Sequence, residues 1–290
     1  MFTWRIRERV LEIGPRPLVM GIVNVTPDSF SDGGAFFDPD RAIVQAVKLA
    51  NEGADILDIG GESSRPGSAS ISEKDEIERV VPVIEAITDE IETPISIDTM
   101  KAGVARAAVE AGASIINDVS GFRDPAMIHV AVKAKAGVIV MHMQGTPASM
   151  QKNPKYEDVV REIGEFFDER IATLTAAGVD REAICLDPGI GFGKTQEHNL
   201  QLLAGMGEYQ RFQRPVCLGV SRKGFIGVIC TRPVEERLAG SLAVASIAAA
   251  RGEAHVLRVH DVAATRDAML MLDAIERARR SPAPPGRITS

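Results

Sequence analysis

The chain has 290 residues, 45% of them hydrophobic and 25% charged, with a formal net charge of −7. That balance suits a globular enzyme, and its acidity excludes a surface built for nucleic acid, so any anion site must be a local cluster. The three cysteines, Cys185, Cys217 and Cys230, show no CxxC spacing. They read as core residues of a reducing compartment and not as metal ligands or disulfide partners.

Met1 to Gly14 alternates charged and apolar residues, as in Arg5, Arg7, Glu8 and Arg9. It lacks the apolar core of a secretory signal. Residues 1–17 are expected to form a short hairpin-like segment. From Leu18 onward, strand-like runs alternate with helical stretches. The runs are Leu18–Val25, Asp55–Ile59, Ile95–Asp98, Ser114–Asn117, Val138–Met141, Ile184–Asp187, Val216–Val220 and His255–Val259. Each is a compact aliphatic run, as expected of a parallel strand buried on both faces.

Between them, Asp38-Pro39 opens a helix that Gly53 closes, and Ser72 opens one that ends before Pro94. The other helices are predicted over Lys101–Ala111, Pro125–Ala136, Tyr156–Ala177, Gln196–Arg211, Glu235–Arg251 and Val262–Arg280. Glycines at 53, 112, 137 and 252 read as left-handed caps that turn helix into strand. Eight strict β/α alternations specify a (β/α)8 barrel over residues 18–280. A doubly wound open sheet is the alternative, but it usually has fewer strands. Residues 281–290, rich in proline, are expected to be a disordered tail. The most apolar stretch, Leu238–Ala250, is shorter than the ~20 residues of a membrane span. It could pack against a second subunit or inside the chain. A cytoplasmic protein without membrane contact is expected.

Several of the runs end in a polar residue, and in a parallel barrel all such tips face one mouth. Asp98, Asn117, Asp187, Lys223, Arg258 and His260 should therefore converge. Two carboxylates, an amide and an ammonium suit a flat heterocycle with amino, imino and oxo groups, since a carboxylate accepts two parallel N–H bonds from a guanidine-like edge. The loop from Asn24 to Gly34 offers oxygen donors for a hard cation and phosphate oxygens. With Arg65, Arg258 and His260, Asn24 would form an adjoining anion subsite, so the phosphorylated arm reads as the leaving group. Ser221-Arg222-Lys223 supplies two cations near a helix start. Gly189-Ile190-Gly191-Phe192-Gly193-Lys194-Thr195 resembles a phosphate loop but fails its count, because Pro188 stands where the first glycine belongs. No Ser–His–Asp set, CxxC pair or HExxH motif points to a covalent hydrolase or a zinc site.

Asn24–Gly34, Asp58–Gly67, Ser96–Lys101, Ile115–Gly121, Met141–Pro147, Leu186–Thr195, Gly219–Gly227 and Arg258–Val262 resemble the ordered motifs of the dihydropteroate synthase family. The resemblance spans about Leu18 to Arg280. It implies a homodimeric (β/α)8 barrel, a sulfonamide target, that joins 4-aminobenzoate to 6-hydroxymethyl-7,8-dihydropterin diphosphate in folate biosynthesis, releasing diphosphate. It places pterin on Asp98, Asn117, Asp187 and Lys223, with Asp98, Asp187 and Lys223 carrying the catalysis. It places Mg²⁺ on Asn24, diphosphate on Asn24, Arg65, Arg258 and His260, and aminobenzoate on Ser64, Pro66, Phe192 and Ser221. Asp32 falls where the first loop closes over the site. Ser64 departs from the threonine common in the family. The rivals are a pterin-dependent methyltransferase that acts with a corrinoid protein and a non-catalytic pterin-binding paralogue.

Overall fold

The computed structural model describes residues 2–26, 39–63, 67–68 and 70–280. Strands β1 (Phe2–Ile6) and β2 (Arg9–Ile13) pair antiparallel as a hairpin. Eight parallel strands follow: β3 (Leu18–Asn24), β4 (Ile56–Gly60), β5 (Ile95–Asp98), β6 (Ile115–Asp118), β7 (Gly137–Met141), β8 (Ile184–Asp187), β9 (Cys217–Leu218) and β10 (Val256–Val259). Their order is β8-β7-β6-β5-β4-β3-β10-β9. A bridge between Leu186 and Val216 joins the two ends of the sheet, closing the barrel expected from the β/α alternation. β9 is shorter than the predicted Val216–Val220: at its start the Val216 amide meets the side chain of His255, Nδ1 at 3.1 Å, and at its end the Val220 carbonyl accepts from Lys223 N in a turn.

Side chains alternate between the barrel interior and the helical ring. Val19, Leu57, Ile97, Ile116, Val138, Leu186 and Leu257 face outward and pack with the helices. Met20, Ile56, Ile115, Ile139, Cys185, Cys217 and Val256 face inward and form one apolar layer with Trp4, Ile6 and Ile13 of the hairpin. The hairpin is thus a plug in the lower end of the barrel. The Trp4 indole is fully buried and donates to Ala183 O at 2.8 Å, while Arg214 reaches Thr3 O at 2.9 Å. Cys185 and Cys217 are buried in this layer as free thiols, as their setting in apolar runs implies. Two residues further along the same strands, the inward positions become Asp58, Asn117, Asp187 and Arg258. One period of the pleat separates an oily floor from a charged mouth.

The helices are α1 (Pro39–Asn51), α2 (Glu73–Glu90), α3 (Ala102–Glu110), α4 (Pro125–Ala134), α5 (Val159–Ala176), α6 (Gln196–Gly205), α7 (Gly224–Cys230), α8 (Leu238–Ala250) and α9 (Val262–Arg280). Ser72 caps α2 through Asp75 N, as its position suggested. Three boundaries differ from expectation. Asp158, whose side chain accepts from Val160 N and Arg161 N, delays α5 to Val159. The predicted helix Gln196–Arg211 tightens into a 3₁₀ segment from Met206 to Phe212, and the predicted helix Glu235–Arg251 begins only at Leu238, after a 3₁₀ turn over Val234–Glu236. Gly53, Gly112 and Gly252 have positive φ as caps should, but Gly137 does not. Lys135 takes the left-handed turn at φ 50°, while Gly137 is glycine because a Cβ there would lie 2.5 Å from Ile6 of the plug. Among the described residues, no helix is long and apolar enough to cross a membrane.

Candidate active site

The centre of the mouth is an ion-paired cluster. Arg258, on β10, donates through Nε to Asp58 at 2.6 Å and through Nη2 to Asp98 at 2.6 Å. Asn117 Nδ2 reaches the same Asp58 oxygen at 3.2 Å, leaving Asp58 Oδ1 buried without a hydrogen-bond partner among the described residues. Burial pushes the Asp98 carboxyl up to about 7, with Arg258 opposing and Asp58 adding to the rise. Burial alone would lower Arg258, but Asp58 and Asp98 outweigh it and hold the guanidinium firmly charged. Asp98 is therefore poised to titrate near neutral pH.

Asp187, on β8, is buried, and burial raises its carboxyl pKa while Lys223 lowers it. Its Oδ1 accepts from Gly189 N at 2.7 Å. Lys223 follows β9 at the start of α7; its Nζ donates to Ile190 O and lies 4.5 Å from the centre of the Phe192 ring. Burial pulls Lys223 down to about 8, and Asp187 is the strongest charge opposing that fall. Ammonium, carboxylate and aromatic ring are thus gathered by the loop 188–195. Beside it, Met141, Met143, Met150 and Val119 form an apolar wall on which Phe192 packs. Such a wall suits a flat ring, since thioethers adapt to the surface they meet.

Ser221 and His260 form a third unit, with Ser221 Oγ 3.0 Å from His260 Nδ1 and 3.2 Å from its backbone N. Arg222 is not a second free cation of this run. Its backbone is left-handed at φ 57°, and its guanidinium is bidentate on Asp261, with Nε at 2.9 Å. Asn24 ends β3 in register with Gly60, which itself pairs with Asp98 of β5. Among the described residues, no group of three or more His, Cys, Asp or Glu side chains could cage a metal.

The structure thus brings together Asp98, Asn117, Asp187, Lys223 and Arg258 within the mouth, with Phe192, Ser221, His260 and Asn24 on strand ends and loops of the same rim. Asp32, Ser64, Arg65, Pro66 and the 281–290 tail lie outside the described residues. Sequence reasoning missed Asp58. It sits inside an apolar run and not at its tip, but a lone aspartate two residues after an inward isoleucine was a readable signal. Burial of a carboxylate is rare unless it is paired.

A closed barrel whose upper layer is charged and whose rim carries an aromatic loop defines a barrel enzyme for a planar, hydrogen-bonding substrate. A family model described as pterin binding enzyme matches residues 20–260. Dihydropteroate synthase of Escherichia coli K12 is 47% identical over 265 residues, covering 91% of this chain and 94% of the relative. A Yersinia pestis dihydropteroate synthase solved with a sulfonamide drug superposes with a TM-score of 0.89 at 43% identity, covering 96% of this chain and 100% of the other. The Xanthomonas albilineans enzyme solved with 4-aminobenzoic acid gives 0.89 at 45% identity, covering 97% and 99%. The chain belongs to the dihydropteroate synthase family, the transferases that make dihydropteroate in folate biosynthesis.

Proposed function

We propose that this mouth binds 6-hydroxymethyl-7,8-dihydropterin diphosphate with its ring on Asp98, Asn117, Asp187 and Lys223, and that 4-aminobenzoate approaches along Phe192 and Ser221. The observation that carries this reading is the convergence of two carboxylates, an amide and an ammonium above an apolar floor. Asp98 and Asp187 accept ring N–H groups, and Asn117 can both donate and accept. Ser64 and Pro66 complete the aminobenzoate subsite in this reading, and sulfonamides would compete there.

Diphosphate is assigned to Asn24, Arg65, Arg258 and His260, and loop closure to Asp32. Asn24 supplies one neutral oxygen, which fits an ion that takes most of its ligands from water and the diphosphate itself, as Mg²⁺ does. That ion would neutralise the departing charge. The protein's own work is positioning and electrostatics. The methylene C–O bond breaks with its electron pair going to diphosphate, the electron-rich pterin carries the resulting positive charge, and the aniline nitrogen then forms the C–N bond. Its surplus proton goes to water. Asp98 and Asp187 stabilise the cationic ring, while Lys223 holds it oriented.

A homodimer is part of this proposal. Helix α8 is apolar almost all round, and Val228 and Ile229 of α7 and Met271 of α9 are more than half exposed on neighbouring helices. A helix without a polar face needs cover on both sides. The assignment of the pterin end is tested by Lys223→Ala and Asp187→Ala. Each should lower kcat by about a hundredfold or more with the fold intact, and near-normal turnover in both would refute it.

A further inference from the structure

The glycine-rich run that looks like a phosphate loop turns its lysine into the protein. Lys194 is 3% exposed, and its Nζ lies 2.9 Å from Phe192 O, 3.1 Å from His142 Nδ1 and 3.3 Å from His142 O. The amine thus meets three acceptors, and among the described residues Lys194 makes no ion pair. Burial, reinforced by Lys194 and Arg123, pulls His142 down to about 2, so its ring stays neutral and Nδ1 is open to accept. Burial likewise holds Lys194 well below the ordinary lysine value.

The loop is laid directly on the segment after β7. A Cβ at Gly189 would stand 2.0 Å from His142 O, and one at Gly193 would stand 2.6 Å from Gln144 O. Other fastenings hold its neighbours: Asn199 Oδ1 takes Gly191 N at 2.7 Å, Gln151 donates to Gly191 O at 2.8 Å, and Tyr156 donates to Gly193 O at 2.9 Å. Phe192, the residue whose ring meets Lys223, is held at both backbone groups: its N–H donates to Gly189 O at 3.0 Å, and its carbonyl accepts from Lys194 Nζ.

We propose that Lys194 is a positioning residue for the aromatic amine, which ties the Phe192 carbonyl to His142 and so holds the Phe192 ring in its stacking position. This rests on the reading that Phe192 faces 4-aminobenzoate. A ring displaced by an ångström weakens amine capture while leaving the pterin contacts on β5, β6 and β8 in place.

The test is steady-state kinetics of Lys194→Met and Lys194→Gln beside Phe192→Ala and the double variant Lys194→Met/Phe192→Ala. Both Lys194 variants should raise KM for 4-aminobenzoate about tenfold, with KM for the pterin diphosphate changed less than about twofold. In the double variant, the Lys194 effect should vanish, because the ring it holds is gone. If Phe192→Ala leaves the amine KM unchanged, the reading of the subsite fails. If Phe192→Ala raises it but the Lys194 variants do not, or raise both KM values alike, the Lys194 proposal is overturned. Failure of both Lys194 variants to fold would overturn it too, since the lysine would then be a requirement of the fold.

Discussion

Asp58→Asn removes one charge from the middle of the mouth while keeping the side-chain volume. Asp58 is fully buried and takes Arg258 Nε at 2.6 Å and Asn117 Nδ2 at 3.2 Å. Removing one partner of a buried ion pair costs about 3–5 kcal/mol. Here Asp98 still holds the guanidinium through Nη2 at 2.6 Å, so the low end applies, about 3 kcal/mol. At roughly 2 °C per kcal/mol for a chain of this size, Tm should fall by about 6 °C. A second readout separates this from simple loss of stability. Asp58 is one of the charges that raise Asp98, and its removal also leaves Arg258 to Asp98 alone. Both changes favour the Asp98 carboxylate, so a titration at about 7 in the parent protein moves down. The assay is kcat/KM for the pterin diphosphate against pH, which reports the free enzyme. Its acid limb should shift to lower pH in Asp58→Asn. An acid limb that stays in place or moves up would refute the reasoning, whatever happens to Tm.

The parent profile should be a narrow bell. Asp98 must lose its proton, at about 7, to accept ring N–H groups, and Lys223 must keep its proton, which it loses at about 8. Activity therefore rises through the first value and falls through the second, and Asp98→Asn should abolish the acid limb while lowering the maximum. Gly189→Ala places a Cβ 2.0 Å from His142 O at φ +67°, so it should cost about 1–3 kcal/mol in thermal or denaturant unfolding. Val228→Asp combined with Met271→Asp charges the apolar face of α7 and α9 and should yield monomers in sedimentation velocity. A parent protein that is already monomeric would remove the dimer from the account.

The barrel was legible because parallel strands buried on both faces leave aliphatic runs, and a polar residue ending such a run has only the mouth to face. Asp98, Asn117, Asp187 and Arg258 follow directly from that rule. Asp58 obeys the same period of two but sits before Ile59 and Gly60, so attention to tips alone passes over it. Arg222 looked like a free cation because its partner, Asp261, is 39 residues away and only the fold joins them. Lys194 was visible as part of a loop motif, but the direction of its side chain depends on glycines that let two loops touch. The hairpin's role as a plug, and the need for Gly137 beneath it, are likewise tertiary facts. Alternation of charge in the first residues does not say what that segment covers.

The central claim is that one mouth holds a pterin diphosphate and transfers its methylene to an amine. The most direct measurement mixes 6-hydroxymethyl-7,8-dihydropterin diphosphate, 4-aminobenzoate and Mg²⁺ with the protein and follows diphosphate and dihydropteroate together, omitting each substrate in turn. The account predicts equal amounts of both products, dependence on both substrates, and loss of both in Lys223→Ala. Diphosphate released equally without the amine, or no diphosphate from the complete mixture, would contradict it.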